Sequence, residues 1–171
     1  MEAKANFLLI IVSLISISCA NKKPEIVIGL SEGIHHDDFE YSVTNYSDDQ
    51  KIGEGSDTLM AKRKFYIVTL EVLNEAKRVN HEWDNSIAYV IDEAGNTYEN
   101  NVENQQILNR QTPFGWLEKH LTKPQSKDST RLVFELPLNV KHPYLMMRGE
   151  TLMGDFFDGE KFKRTKIKLF N

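Results

Sequence analysis

The sequence predicts an all-β fold, an antiparallel β-sandwich with at most one short helix. Three observations predict it. Apolar residues recur at period two in several short segments, turn-forming residues separate those segments, and no long stretch carries the 3.6-residue period of an amphipathic helix. About 150 residues beyond the leader suffice for one core without disulfides.

The chain opens on a leader, residues 1–18. From Phe7 to Ile17 it is nearly all Leu, Ile, Val and Phe, about a dozen residues where a spanning helix needs roughly 20. The run stops at Cys19, the only cysteine, and the polar Ala20-Asn21-Lys22-Lys23-Pro24 follows. One cysteine cannot form a disulfide within the chain. The arrangement resembles a bacterial lipoprotein signal, with Ile17 and Ser18 at the two positions before the cysteine. That resemblance implies a diacylglycerol on Cys19, cleavage just before it and acylation of the new amino group. Residues 19–25 then form a lipidated tether and 26–171 the folded domain. Ala20 is not the acidic residue that often retains such proteins at the inner membrane, so in a cell with two membranes the outer one is expected.

The strands follow in order. In EIVIGL, Ile26, Ile28 and Leu30 share a face; in DFEYSVTN, Phe39, Tyr41 and Val43 alternate with polar residues. Ser47 to Lys62 is polar and glycine-bearing, a long loop on this reading. KFYIVTLEVLN has a clean apolar face, Tyr66, Val68, Leu70 and Val72, and a mixed one, Phe65, Ile67, Thr69 and Glu71. This marks a central strand covered fully on one side and partly on the other. Ser86 to Ile91 places Ile87, Tyr89 and Ile91 together; Gly95-Asn96 makes a turn, and Tyr98 resumes a strand. The short helix falls at about Val102 to Arg110. Leu132, Phe134 and Leu136 face inward until Pro137 stops their strand, PYLMMRG forms another, and TKIKLF closes the chain with Ile167 and Leu169 on one face.

Three segments together, KFYIVTLEVLNEA, VIDEAGNTYENN and LTKPQSKDSTRLVFELP, resemble a family of exported bacterial proteins. Its members carry an immunoglobulin-like, telokin-like β-sandwich of unknown function, usually behind a lipoprotein leader. The resemblance spans roughly Lys64 to Gly149. It implies an immunoglobulin-like sandwich and no shared catalytic site. In the family the proline is often followed by glycine; here Pro124 is followed by Gln125.

Two clusters are candidates for chemistry. His35-His36-Asp37-Asp38 combines imidazoles and carboxylates, the ligands of zinc and related ions. Neighbours on an extended chain point to opposite faces, so only alternate members converge. The competing reading is a solvated loop before a strand, and no metal is expected. His81-Glu82-Trp83-Asp84 is either a ligand platform or an edge tryptophan beside a loop. With Phe114 and Trp116, Trp83 forms a candidate aromatic binding surface. In MGDFFDGEKF, Asp158-Gly159 reads as a hairpin turn with Phe156-Phe157 packed back on the domain, and KFKRTKIK as a solvated strand face.

The net charge is −4, which argues against nucleic acid as a partner. There is no nucleophile elbow and no phosphate-cradling glycine loop, and Cys19 is committed to lipid. The expectation is therefore a non-enzymatic, lipid-anchored cell-envelope protein. It has no cofactor, and it binds the membrane through its N-terminal lipid and a protein or peptide partner. The alternative is an envelope metal-binding protein or hydrolase using residues 35–38 and 81–84.

Overall fold

In a computed structural model, residues 23–53, 55, 58–111, 119–149 and 158–170 are described. They form an antiparallel-rich β-sandwich. The strands are β1 (Ile26–Ile28), β2 (Ile34–His36), β3 (Phe39–Ile52), β4 (Leu59–Asn74), β5 (His81–Trp83), β6 (Ala88–Ile91), β7 (Thr97–Glu99), β8 (His120–Thr122), β9 (Ser126–Leu136), β10 (Tyr144–Met147) and β11 (Thr165–Lys168). One sheet runs β1-β11-β10-β6-β7 and the other β2-β3-β4-β9, while β5 and β8 make a small ribbon. Every pairing is antiparallel except β1 with β11.

The period-two faces meet between the sheets. Tyr66, Val68, Leu70 and Val72 of β4 and Leu132, Phe134 and Leu136 of β9 pack in one core with Val90 of β6, Leu145 of β10 and Ile167 of β11. The mixed face of β4 is covered as expected. Phe65, with Ile52 and Val133, is buried under Leu108 of the helix Val102–Gln111.

Four local expectations are corrected. The span 47–62 is mostly strand, because β3 and β4 continue as a long hairpin, pairing Ser47 with Ile67 and Ile52 with Leu59. Both faces there are largely polar, so hydrophobic alternation is silent while the backbone ladder still forms. In β6 the inward residues are Ala88 and Val90, not Tyr89 and Ile91. A 3₁₀ turn, Asn85–Ile87, capped by the Asp84 side chain, resets the phase by one residue. Asp158 and Gly159 begin a second short helix, Asp158–Arg164, rather than a hairpin turn. Its last turn holds Lys161, Lys163 and Arg164, which suits the negative helix end. KFKRTKIK is therefore helix up to Arg164 and strand from Thr165. Phe156 and Phe157 lie outside the described residues, and Phe162 is the aromatic that seats this segment, buried against the main core.

After Pro124, Gln125 adopts φ 55°, the left-handed conformation in which glycine is favoured. Its side-chain amide donates to the Glu75 and Ala76 carbonyls, so the turn keeps a glycine-like shape without glycine.

Candidate functional site

The residues 35–38 and 81–84, apart in sequence, meet at one end of the sandwich. β2 and β3 are joined by the two-residue turn Asp37-Asp38, with His36 opposite Phe39. Asp37 takes φ 53°, which aspartate tolerates better than most residues. Alternation sends the two histidines apart. His35 turns outward, its Nε2 3.0 Å from the Glu40 carboxylate and its Nδ1 3.9 Å from Glu75. His36 turns inward and is buried, its ring stacked on Phe162 at 4.4 Å. Asp38 contributes its backbone carbonyl, which accepts from the Glu75 N–H at 2.7 Å.

Asn74 positions the second segment. It is fully buried at the end of β4. Its amide donates to the carbonyls of Val79 (2.8 Å) and Thr122 (2.9 Å), and its carbonyl oxygen accepts from the Ala76 N–H (3.0 Å). One side chain thus ties both the entry to β5 and the end of β8 to the β2-β3-β4-β9 sheet. Trp83 is locked from the same side. Its indole N–H donates to Thr122 Oγ1 at 2.8 Å, and its ring stacks on His120 at 4.0 Å.

Between these segments lies a cleft of about 430 Å³. Its walls come from the turn after β2, the start of β3, residues 81–84, the 3₁₀ turn and the end of β10. His81 stacks on Phe39 with ring centroids 3.8 Å apart, and its Nε2 shares a 2.9 Å hydrogen bond with the Tyr41 hydroxyl. Burial, reinforced by the neighbouring His36, holds the His81 imidazole below its ordinary range. Burial also pushes the Tyr41 hydroxyl far above its ordinary range, and the Asp37 charge adds to the shift. Tyr41 is therefore a neutral hydrogen-bonding group at any physiological pH.

Charged groups complete the lining: Asp37, Glu82, Asp84 and Arg148. The Arg148 guanidinium is already matched. Its Nη2 lies 2.6 and 2.7 Å from the two Glu99 oxygens, and Nη1 donates to the Ser86 carbonyl at 2.7 Å. Asp84 Oδ1 accepts from both the N–H and the hydroxyl of Ser86 (2.8 and 2.6 Å). Gly149 is required at the cleft's back, where a Cβ would stand 2.8 Å from Phe162 and 3.1 Å from the His36 ring.

Of the residues singled out in the sequence, His36, Asp37, His81, Glu82, Trp83 and Asp84 reach this cleft; His35 and Asp38 are not part of its lining. Cys19, Phe114 and Trp116 lie outside the described residues. Among the described residues no three His, Cys, Asp or Glu side chains converge in a way that would hold a metal ion. Phe39, Tyr41 and Arg148 were not legible as site residues. The alternation that marks Tyr41 as inward is the same signal that marks core, and nothing in PYLMMRG separates Arg148 from a surface charge. Among the described residues no helix is long and apolar enough to cross a membrane.

No protein-family model matches the chain, and no curated protein does. Solved structures share its fold. A conserved hypothetical protein from Bacillus anthracis superposes with a TM-score of 0.56 at 16% identity, covering 72% of this chain and 91% of its own. An uncharacterized β-sandwich protein from Clostridium difficile gives 0.53 at 15% identity, covering 86% and 96%. MPT63, a secreted protein from Mycobacterium tuberculosis, gives 0.50 at 9% identity, covering 76% and 94%. At such identities the likeness establishes the β-sandwich and nothing finer.

Proposed function

We propose that this chain is a lipid-anchored cell-envelope protein, a non-enzymatic module that binds a protein or peptide partner in the cleft between the β2–β3 turn and residues 81–84. The observation that carries this reading is the cleft itself: about 430 Å³, aromatic in its walls, polar at its rim and built on a buried framework. Rigid aromatic surface with a few placed polar groups is what peptide recognition uses. The groups that could do chemistry are engaged with other partners. The Ser86 hydroxyl donates to Asp84, and His81 Nε2 meets Tyr41, so serine and imidazole do not serve each other. Cys19 at the leader boundary and the secreted status of one structural neighbour support export.

Photo-crosslinking in cells tests the binding role. A photoreactive residue at Glu82 is expected to capture one recurrent protein or peptide, and the same residue at Leu138, exposed at the other end of the sandwich, is expected not to. Identical captures from both positions would overturn the assignment. A fatty-acid analogue is expected to label the wild type and not Cys19→Ala. The metal-binding alternative draws on the meeting of His36 with His81, and stoichiometric zinc lost on His36→Ala/His81→Ala would favour it.

A further inference from the structure

We infer that the occupant of the cleft is a basic side chain, a lysine or arginine presented by an extended peptide. This rests on the cleft being the binding site and specifies what it accepts.

The first argument is charge. Asp37, Glu82 and Asp84 all line the cleft, and the full positive charge among its lining residues, Arg148, is neutralised by Glu99. Lys119 comes within 3.8 Å of Glu82, but both groups are well exposed, and such a pair is worth little. His81, the half-buried imidazole in the wall, resists protonation and does not offset the carboxylates near neutral pH. The field of Asp37 reaches the buried hydroxyl of Tyr41, so the negative potential extends into the cleft.

The second argument is the walls. Phe39, Tyr41 and Trp83 bring aromatic rings to the same space. A ring face attracts a cation by its quadrupole, and most strongly where water is excluded. The methylene stem of a lysine or arginine packs against apolar wall while its charged head stays at the rim. An acidic or purely apolar side chain satisfies only one half of this arrangement. A divalent cation would need several oxygen ligands on one point, and no such grouping occurs among the described residues.

The test uses the full chain in neutral detergent micelles and three blocked tripeptides, acetyl-Gly-X-Gly-amide with X = Lys, Leu or Glu. Binding is read from NMR shifts of the His81 ring and the Trp83 indole. The lysine peptide is expected to shift both, with saturation, and the leucine and glutamate peptides to bind at least tenfold more weakly. The triple variant Asp37→Asn/Glu82→Gln/Asp84→Asn should weaken lysine-peptide binding at least tenfold. Asparagine tolerates the left-handed turn at 37 and caps as well as aspartate at 84, so the fold is retained. Unchanged affinity in that variant would overturn the inference. If the leucine or glutamate peptide binds and the lysine peptide does not, the basic occupant is wrong while the binding site stands. If no peptide moves either resonance, both fall.

Discussion

His81 joins β5 to the β2–β3 hairpin: it stacks on Phe39 and bonds the Tyr41 hydroxyl, and burial, reinforced by the neighbouring His36, opposes its protonation. Its depressed pKa fixes the sign of a pH effect. In the unfolded chain the imidazole takes up a proton near pH 6.5, about its ordinary value; in the fold it resists until lower pH. The unfolded state therefore binds more protons as pH falls below about 6.5, and stability is lost down through the folded pKa. Above that range the contribution is fully present. Between pH 7.5 and 5.5, above the carboxylate range, the urea midpoint of the wild type is expected to fall further than that of His81→Gln. Glutamine keeps a hydrogen-bonding group near Tyr41 and cannot titrate. Parallel declines in the two proteins would contradict the assignment.

At the scale of elements, the edge of β9 shows how a polar side chain can complete a sheet. β9 pairs with β4 on one side, and an unpaired edge would be a template for aggregation. Gln105 of the helix Val102–Gln111 closes the other side. Its amide donates to the Arg131 carbonyl at 2.8 Å, and its oxygen accepts from the Val133 N–H at 3.1 Å and from the Asn100 amide at 2.6 Å. Asn100 in turn donates to the Val133 carbonyl at 3.0 Å. Gln105 is fully buried, so Gln105→Leu would strand backbone groups of β9 without partners. A loss of about 2 kcal/mol is expected, measured by chemical denaturation, together with concentration-dependent aggregation; a variant as stable as the wild type would show the cap to be dispensable. The sequence shows the helix but not this role, because a glutamine on a mostly polar helix looks solvated. The same limit explains the other misses. The inward faces of β4, β9 and β11 are legible because one side meets the core and the other does not. The distal part of the β3–β4 hairpin is not, because backbone pairing there needs no apolar pattern. The phase of β6 depends on the Asp84 cap, a feature of one local turn. The two halves of the cleft are each visible as charged, histidine-bearing clusters, but their meeting depends on Asn74 holding β5 and β8 to the end of β4.

Across the whole molecule, the tether and the cleft share an end. The tether expected over residues 19–25 is tied down from Lys23 onward. Lys23 pairs with Glu160, the Pro24 carbonyl accepts from Arg164, and Glu25 pairs with Lys166, after which β1 runs parallel to β11. The helix Asp158–Arg164 that receives Lys23 also carries Phe162, stacked on His36 beside the cleft. On a chain anchored at Cys19, Lys23 stands four residues along from the lipid, a span of at most about 14 Å. The cleft end is then held close to the headgroups. The far end, near Leu138, stands farther out by up to about 34 Å, ten steps along β9 at about 3.4 Å per residue. In vesicles with acceptor dye on the headgroups, donor dye on Ser86→Cys is expected to transfer energy strongly, and donor on Leu138→Cys weakly. A twenty-residue Gly-Ser insertion after Ala20 should bring the two efficiencies together by freeing the domain. Equal efficiencies without the insertion would show that the short tether does not orient the domain. A clear difference would mean that a partner must be reached at the membrane surface, where a basic segment lying along the headgroups is within range of the carboxylates at the rim.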